Sequence, residues 1–273
     1  MEKAFNMKRV VVVLIAVAAV AIGYFMFQSI TSPAKAVAKQ ENVVQLASEQ
    51  SKVELNKTAP SRFNGKERKV AYLTFDDGPG KYTAELLNTL KQHDAKATFF
   101  LIGANVKEFP DLVKRENAEG HYVGMHSMTH NFAKLYKNGE YVNEMKEDQS
   151  LIANIIGKSP KLTRPPYGSM PGLNEGLRNK VVEGGFKVWD WTIDSLDWKY
   201  NKMQVDAAAA QIAQNVLTNA TKPQEVILMH DIHPQSVAAV PAILKGLKEK
   251  GYEFEAYHEE SHFPVNFWHD NRM

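Results

Sequence analysis

Leu73-Thr74-Phe75-Asp76-Asp77-Gly78-Pro79 is the stretch on which the reading of this chain turns. Residues 70–75 form an apolar run of strand length that ends in two adjacent carboxylates. Gly78-Pro79 then takes the backbone out of the extended path. Two carboxylates at the end of a buried strand are costly unless a cation or a set of donors offsets their charge. The same Asp-Gly-Pro chemistry also makes an ordinary solvated turn, in which neither acid has a role. What the chain can bring to Asp76 and Asp77 decides between the two.

From Arg68 onward short apolar runs alternate with amphipathic stretches. Strands are expected over 70–75, 97–102, 122–125, 162–164, 186–193, 225–230 and 252–257. Helices are expected over 82–93, 141–156, 173–183, 205–220 and 237–250, the first carrying Leu86, Leu87 and Leu90 on one face. Gly157, Gly184 and Gly251 stand where helix stops belong. Such alternation predicts a parallel α/β architecture, a barrel or an open sheet. No Gly-x-Gly-x-x-Gly follows the first strand, which argues against a dinucleotide site. In a barrel the groups that do chemistry sit where strands end, and this chain puts its unusual polar residues there.

The 273 residues leave room for one domain of roughly 200 residues plus appendages. Thirty-three basic residues against thirty-one acidic give a net charge of +2. A nucleic-acid partner, which calls for a basic excess on one face, is not expected. With no cysteine, disulfides and thiolate ligands are excluded, and any metal is held by oxygen and nitrogen. A monomer is expected.

Lys3, Lys8 and Arg9 precede an uncharged run from Val10 to Ala34, densest over 10–27. As a helix the dense part spans about 27 Å, close to the hydrocarbon thickness of a bilayer. Basic residues upstream predict a cytoplasmic N-terminus and export of the remainder. Residues 1–34 are therefore read as a single-pass membrane anchor. Residues 35–67, rich in Lys, Gln, Glu, Ser and Ala without periodicity, read as an extracytoplasmic linker. The folded domain is expected over 68–265 and a tail over 266–273. Ala34-Lys35-Ala36 offers the alternative of a cleaved signal and a secreted product. The length of the run, and Tyr24, Phe25 and Phe27 placed as an interfacial belt, favour the anchor.

His126-Ser127-Met128-Thr129-His130 follows the strand expected over 122–125 and puts two imidazoles four residues apart. On a helical turn those positions share a face, so both rings can reach one ion. Two solvated histidines on a surface helix are the plain alternative. Ser127 stands where a zinc protease of the His-Glu-x-x-His type needs its glutamate. Thr163-Arg164-Pro165-Pro166-Tyr167-Gly168 is stiffened by two prolines. It is either a structural turn or a mount that aims Arg164 at a carboxylate and leaves a backbone N–H for an oxyanion. Residues 189–198 carry Asp190, Asp194, Asp197 and three tryptophans, which are core residues or, at Trp198 above all, a wall for stacking sugars. Period two along 225–230 puts Leu228 and His230 on one face. His93, His121, His233 and His258 have weaker claims to a role.

Taken together, five stretches resemble the motifs of the polysaccharide deacetylases of carbohydrate esterase family four. They are Thr74-Phe75-Asp76-Asp77-Gly78, His126-Ser127-x-x-His130, Arg164-Pro165-Pro166-Tyr167, Asp194-x-x-Asp197-Trp198 and Leu228-Met229-His230. All occur in the family's order across most of residues 68–257. The resemblance implies a distorted (β/α) barrel and metal-dependent removal of N- or O-acetyl groups from sugar polymers. It implies Asp77, His126 and His130 as metal ligands, with zinc the default and cobalt or another divalent ion the alternatives. Asp76 resembles the general base, oriented by Arg164. His230 resembles the acid that protonates the leaving amine, supported by Asp197. Tyr167 resembles the oxyanion donor through its backbone N–H, and Pro165, Trp198 and Leu228 border the substrate groove.

With an anchor and a tether, the polymer within reach lies just outside the membrane, so the expected substrate is N-acetylglucosamine of peptidoglycan. Chitin oligomers and O-acetylated xylan are alternatives within the same chemistry. A glycoside hydrolase pairing Asp76 or Asp77 with Asp194 or Asp197 leaves the histidine pair and the arginine motif idle. A glycan-binding protein without activity needs Trp198 but not Asp76 and His230 together.

Overall fold

The structure, a computed structural model, describes residues 62–63 and 66–273. The anchor expected at 1–34 and nearly all of the linker expected at 35–67 lie outside these residues. Among the described residues no helix is long and apolar enough to cross a membrane. Two short strands, β1 (Arg62–Phe63) and β2 (Lys66–Glu67), pair antiparallel where linker was expected.

The strand before the paired acids, β3 (Lys69–Asp76), is buried along all but its first residue, which is why it reads as a continuous run. β4 (Ala97–Leu101) and β9 (Gln224–His230) flank it in parallel, and β10 (Tyr252–Phe254) pairs with its first residues. β5 (Tyr122–Met125), β6 (Leu162–Thr163) and β7 (Lys187–Val188) continue beyond β4, while β8 (Ile193–Asp194) lies beyond β9. The order is β7-β6-β5-β4-β3-β9-β8.

β7 and β8 stand at opposite ends of this order, yet only residues 189–192 separate them in the chain. Laid flat, seven strands span roughly 29 Å between the outer two, at about 4.8 Å per step. The chain from Val188 to Ile193 reaches at most roughly 18 Å. The sheet must therefore curl until its edges approach, giving a distorted half-barrel open between β7 and β8. A single strand over 186–193 was expected; the chain instead leaves β6 after Val188 and joins β9 at Ile193. Val188, Trp189 and Asp190 are fully buried, so the run gives no sign of where one edge ends and the other begins.

Period two along β3 sorts its side chains. Ala71, Leu73 and Phe75 pack in the large core with Leu86, Leu87 and Leu90 of α1 (Thr83–Gln92), as their spacing predicts. Val70 and Tyr72 face a smaller core with Phe100, Leu162, Trp189, Val226 and Tyr257. Thr74 and Asp76 continue that second face to the end of the strand.

α2 (Gly103–Glu108) and α3 (Pro110–Ala118) follow β4 in a stretch where no helix was expected. α4 (Tyr141–Ile156) has its expected limits and stops at Gly157, whose φ of +72° suits glycine. α5 (Glu175–Glu183), α6 (Val205–Asn219) and α7 (Pro234–Glu249) complete the α-helices of the described residues. Residues 266–273, expected as a tail, are packed onto the domain. Phe267 N–H donates to Asp190 Oδ2 at 2.7 Å, Trp268 Nε1–H to Ser169 O at 2.9 Å, and Met273 is fully buried.

Candidate active site and metal centre

Arg164, fully buried, reaches Asp76 and Thr74 at the end of β3. Its Nη1 donates to Asp76 Oδ1 at 2.8 Å and to Thr74 Oγ1 at 2.5 Å. Nε donates to Trp189 O at 3.0 Å and Nη2 to Asp190 O at 2.9 Å, while the guanidinium carbon lies 4.1 Å from the centre of the Phe100 ring. Burial pushes the Asp76 carboxyl up and the Arg164 charge pulls it back, leaving it at about 6.

Asp77 turns the other way. Its φ of +71° lies in the left-handed region, which few residues other than glycine adopt and where Asp and Asn are enriched. Asn105 Nδ2 donates to its carbonyl at 2.7 Å, and Ile102 N–H donates to Gly78 O at 3.0 Å. A Cβ on Gly78 would lie 2.5 Å from Oδ1 of the buried Asp231, so only glycine fits this turn. Asp231 is itself hydrogen-bonded by Thr83 Oγ1.

His126 and His130 converge, but not as expected on a helix. Residues 126–130 form a tight loop in which Ser127 has φ +73° and His130 φ +50°, and Ser127 Oγ accepts the His130 N–H at 2.9 Å. Glu144 of α4 holds the loop from behind by accepting the N–H groups of Met128 and Thr129, both at 3.0 Å. The hydrogen bond between His126 Nδ1 and Arg164 O, 2.8 Å long, leaves Nε2 facing Asp77. Burial, with His130 close by, pushes the His126 imidazole well down, which keeps it neutral and able to donate a lone pair.

One ligand atom from each of Asp77, His126 and His130 lies within 4.8 Å of the other two. Asp77 Oδ1 stands 3.4 Å from His126 Nε2 and 3.6 Å from His130 Nε2, too far for hydrogen bonds. A tetrahedral centre with bonds of about 2.1 Å sets its ligand atoms about 3.4 Å apart. Asp77 Oδ1 is also a buried atom without a hydrogen-bond partner among the described residues. An orphaned anionic oxygen facing two imidazole nitrogens fits a divalent cation, and this oxygen-nitrogen set suits zinc among others.

β3 and β9 pair Asp76 with His230, so the acid and the imidazole leave the sheet side by side. His230 Nδ1 meets Asp197 Oδ1 at 2.9 Å. Asp197, fully buried, also accepts from His230 N–H at 2.7 Å, Ser236 Oγ at 2.6 Å and Trp198 N–H at 2.8 Å. Burial alone would lower the His230 pKa, but the bond and charge of Asp197 outweigh it and hold the imidazole at about 9.

Tyr167 has φ +69°, and its backbone N–H donates to no group among the described residues. Pro165 and Leu228 are buried, whereas Trp198 is 46 % exposed. Among the described residues seven other than glycine adopt positive φ, and five of them are Asp77, Ser127, His130, Tyr167 and Leu196. Strain gathered at one place in this way is characteristic of functional sites and is not what a solvated turn requires.

Thr74, Asn105, Glu144, Asp190 and Ser236 had no role in the sequence reading. Glu144 left a usable signal, because it is a carboxylate at a buried position of an amphipathic helix. Asp190 accepts from Ser169 N–H at 2.7 Å, Ser169 Oγ at 2.5 Å and Phe267 N–H at 2.7 Å, bonds to partners distant in sequence that no spacing announces.

Curled parallel sheet, acids and imidazoles at its strand ends and a cradle for a cation define an α/β enzyme with a hydrolase-type site. The chain belongs to the polysaccharide deacetylase family, whose sequence model matches residues 64–189. It is 96 % identical over all 273 residues, the whole of both chains, to a peptidoglycan-N-acetylglucosamine deacetylase of Bacillus cereus. The crystal structure of a polysaccharide deacetylase from Bacillus cereus is 98 % identical, with a TM-score of 0.75 over 76 % of this chain and all of that one. The catalytic domain of a peptidoglycan N-acetylglucosamine deacetylase from Eubacterium rectale is 30 % identical, with a TM-score of 0.67 over 76 % of this chain and 95 % of that one.

Proposed function

We propose that this chain hydrolyses the N-acetyl group of N-acetylglucosamine in peptidoglycan, with a divalent cation, zinc by default, held by Asp77, His126 and His130. The observation that carries this reading is the orphaned, buried Asp77 Oδ1 facing two imidazole nitrogens, one residue from an acid paired with Arg164. The choice of polymer is supported by full-length identity of 96 % to a protein of that name.

Such a cation supplies a Lewis acid, which polarises the acetyl carbonyl and acidifies water. Asp76 is ionised above about pH 6, and with Oδ1 engaged by Arg164 its Oδ2 takes the proton of the attacking water. The unengaged Tyr167 N–H meets the oxyanion that forms on the acetyl carbon. His230, protonated below about pH 9, delivers its Nε2 proton to the departing amine nitrogen while Nδ1 stays on Asp197. The C–N bond breaks, and acetate and a free sugar amine leave. Between those two values the base is ionised and the acid protonated, as the reaction requires. Pro165, Trp198 and Leu228 border the groove. Asp197, with four hydrogen bonds to keep, is not free to serve as the second acid of a glycosidase.

We place the enzyme outside the cell membrane, anchored by residues 1–34 and tethered by 35–67, with the catalytic domain running from 68 through the packed segment 266–273. Acetate release from N-acetylglucosamine oligomers tests the chemistry. We expect chelator to abolish release and added zinc to restore it. Asp77→Ala loses cation and activity together, while Asp76→Asn keeps the cation and loses turnover by about a hundredfold or more. Release that survives complete chelation, or an Asp76→Asn variant at the wild-type rate, overturns the reading.

A further inference from the structure

Beside His130 stands an exposed aromatic pair whose side chains the chemistry above does not use. Phe132 is 39 % and Tyr167 60 % exposed. Their ring centroids are 5.8 Å apart, and the Tyr167 ring lies 4.6 Å from that of His130. The pair is therefore continuous with the cation cradle.

Both rings are held from below. Phe132 leads into a π-helix, Ala133–Lys137, an element that is rare in general and concentrated at functional sites. Its wide turn brings Tyr136 against Phe132, edge to face at 5.0 Å. Tyr136 is anchored in turn, its hydroxyl donating to Pro166 O at 2.7 Å. The same ring packs on Gly172 so closely that a Cβ there would lie 2.8 Å away. Tyr167 is fixed by its own hydroxyl, which donates to His130 O at 3.1 Å. Two exposed rings on one rigid support, next to a polar site, are more than a scattered pair of surface hydrophobics. A pyranose presents C–H hydrogens on each face, and the negative face of an aromatic ring attracts them. A held ring also loses little rotamer freedom on binding.

Resting on the deacetylase reading, we infer that Phe132, with Tyr167, forms a sugar subsite. It stacks the residue of the glycan strand next to the N-acetylglucosamine being deacetylated, and thereby favours longer strands over short ones.

The test measures kcat and KM of the full chain on an N-acetylglucosamine pentamer and dimer, for wild type, Phe132→Ala and Phe132→Tyr. For Phe132→Ala, kcat/KM on the pentamer falls about tenfold through KM, kcat holds within about twofold, and the loss on the dimer is smaller. Phe132→Tyr, which keeps the ring, restores the pentamer KM. An equal loss on both substrates, a loss carried by kcat, or no change in KM overturns the subsite while leaving the deacetylase reading intact. A wild-type chain that releases no acetate from either oligomer overturns the deacetylase reading, and the subsite with it.

Discussion

Asp76 and His230 leave adjacent strands at paired positions, yet their surroundings drive them to opposite tasks. Burial raises the carboxyl toward neutrality, and Arg164 stops the rise at about 6. Burial would also strip the proton from His230, and Asp197 prevents it, setting the imidazole at about 9. Activity is therefore expected to follow a bell, rising as Asp76 ionises and falling as His230 loses its proton. A cation held at the neighbouring Asp77 would draw the acid limb lower still, because positive charge favours the carboxylate. The basic limb belongs to the His230–Asp197 pair, which gives a discriminating substitution. Asp197→Asn keeps an oxygen for Nδ1–H but removes the charge, so the basic limb of kcat/KM moves down by roughly one pH unit or more. Its acid limb stays where it was. A basic limb still near 9 in that variant shows that something other than Asp197 holds the proton on His230.

Among the elements, those with a sustained apolar period were legible and the short ones without it were not. α4 declared itself through Met145 and Ile152 even though Glu144 and Asp148 are buried on it. α3 did not, because its buried residues are Val113 and Glu116, three apart, and the second is a carboxylate. The site motifs were legible because each sits at a strand end, whereas the histidine loop owes its shape to left-handed residues that no helical spacing describes. Glu116 carries a further consequence. Both its carboxylate oxygens are buried without a partner among the described residues, and burial, with Asp231 adding repulsion, pushes its pKa well up. The folded chain thus holds a proton there that the unfolded chain releases above its ordinary value. Stability falls as pH rises through the window between the unfolded and folded values, by up to about 1.4 kcal/mol per unit for this one group. Glu116→Gln removes that slope. Urea unfolding at pH 5 and pH 8 should show the variant gaining on the wild type at the higher pH. An unchanged difference between the two pH values rules the idea out.

For the whole molecule, the decisive event is the passage from β7 to β8, because it draws the two edges of the half-barrel toward each other and puts Trp189 and Asp190 across the gap. This was the least legible part of the fold, since a run buried throughout cannot state which sheet edge it joins. The crossing is secured by the C-terminal segment. Asp190 N–H donates to Val265 O at 2.6 Å and Phe267 N–H donates to the Asp190 carboxylate, while the Asp190 carbonyl accepts from Arg164. Residues 266–273 thereby support the side chain that holds Asp76, although they lie far from it in sequence. A chain ending at Val265 keeps the Trp189–Val265 bridge but loses the Phe267 and Trp268 bonds and the burial of Met273. Those losses amount to roughly 3 kcal/mol, enough to lower Tm by roughly 5–10 °C in a domain of this size. With Asp190 loosened, Arg164 holds Asp76 less firmly, and kcat should fall about tenfold at temperatures where the shortened chain is still folded. Circular dichroism and acetate release measured on the same preparation separate the two effects. A shortened chain that melts early yet turns over at the full rate while folded confines the C-terminal segment to stability alone. A parallel fall in kcat shows that the crossing between the sheet edges and the alignment of Asp76 are one structural event.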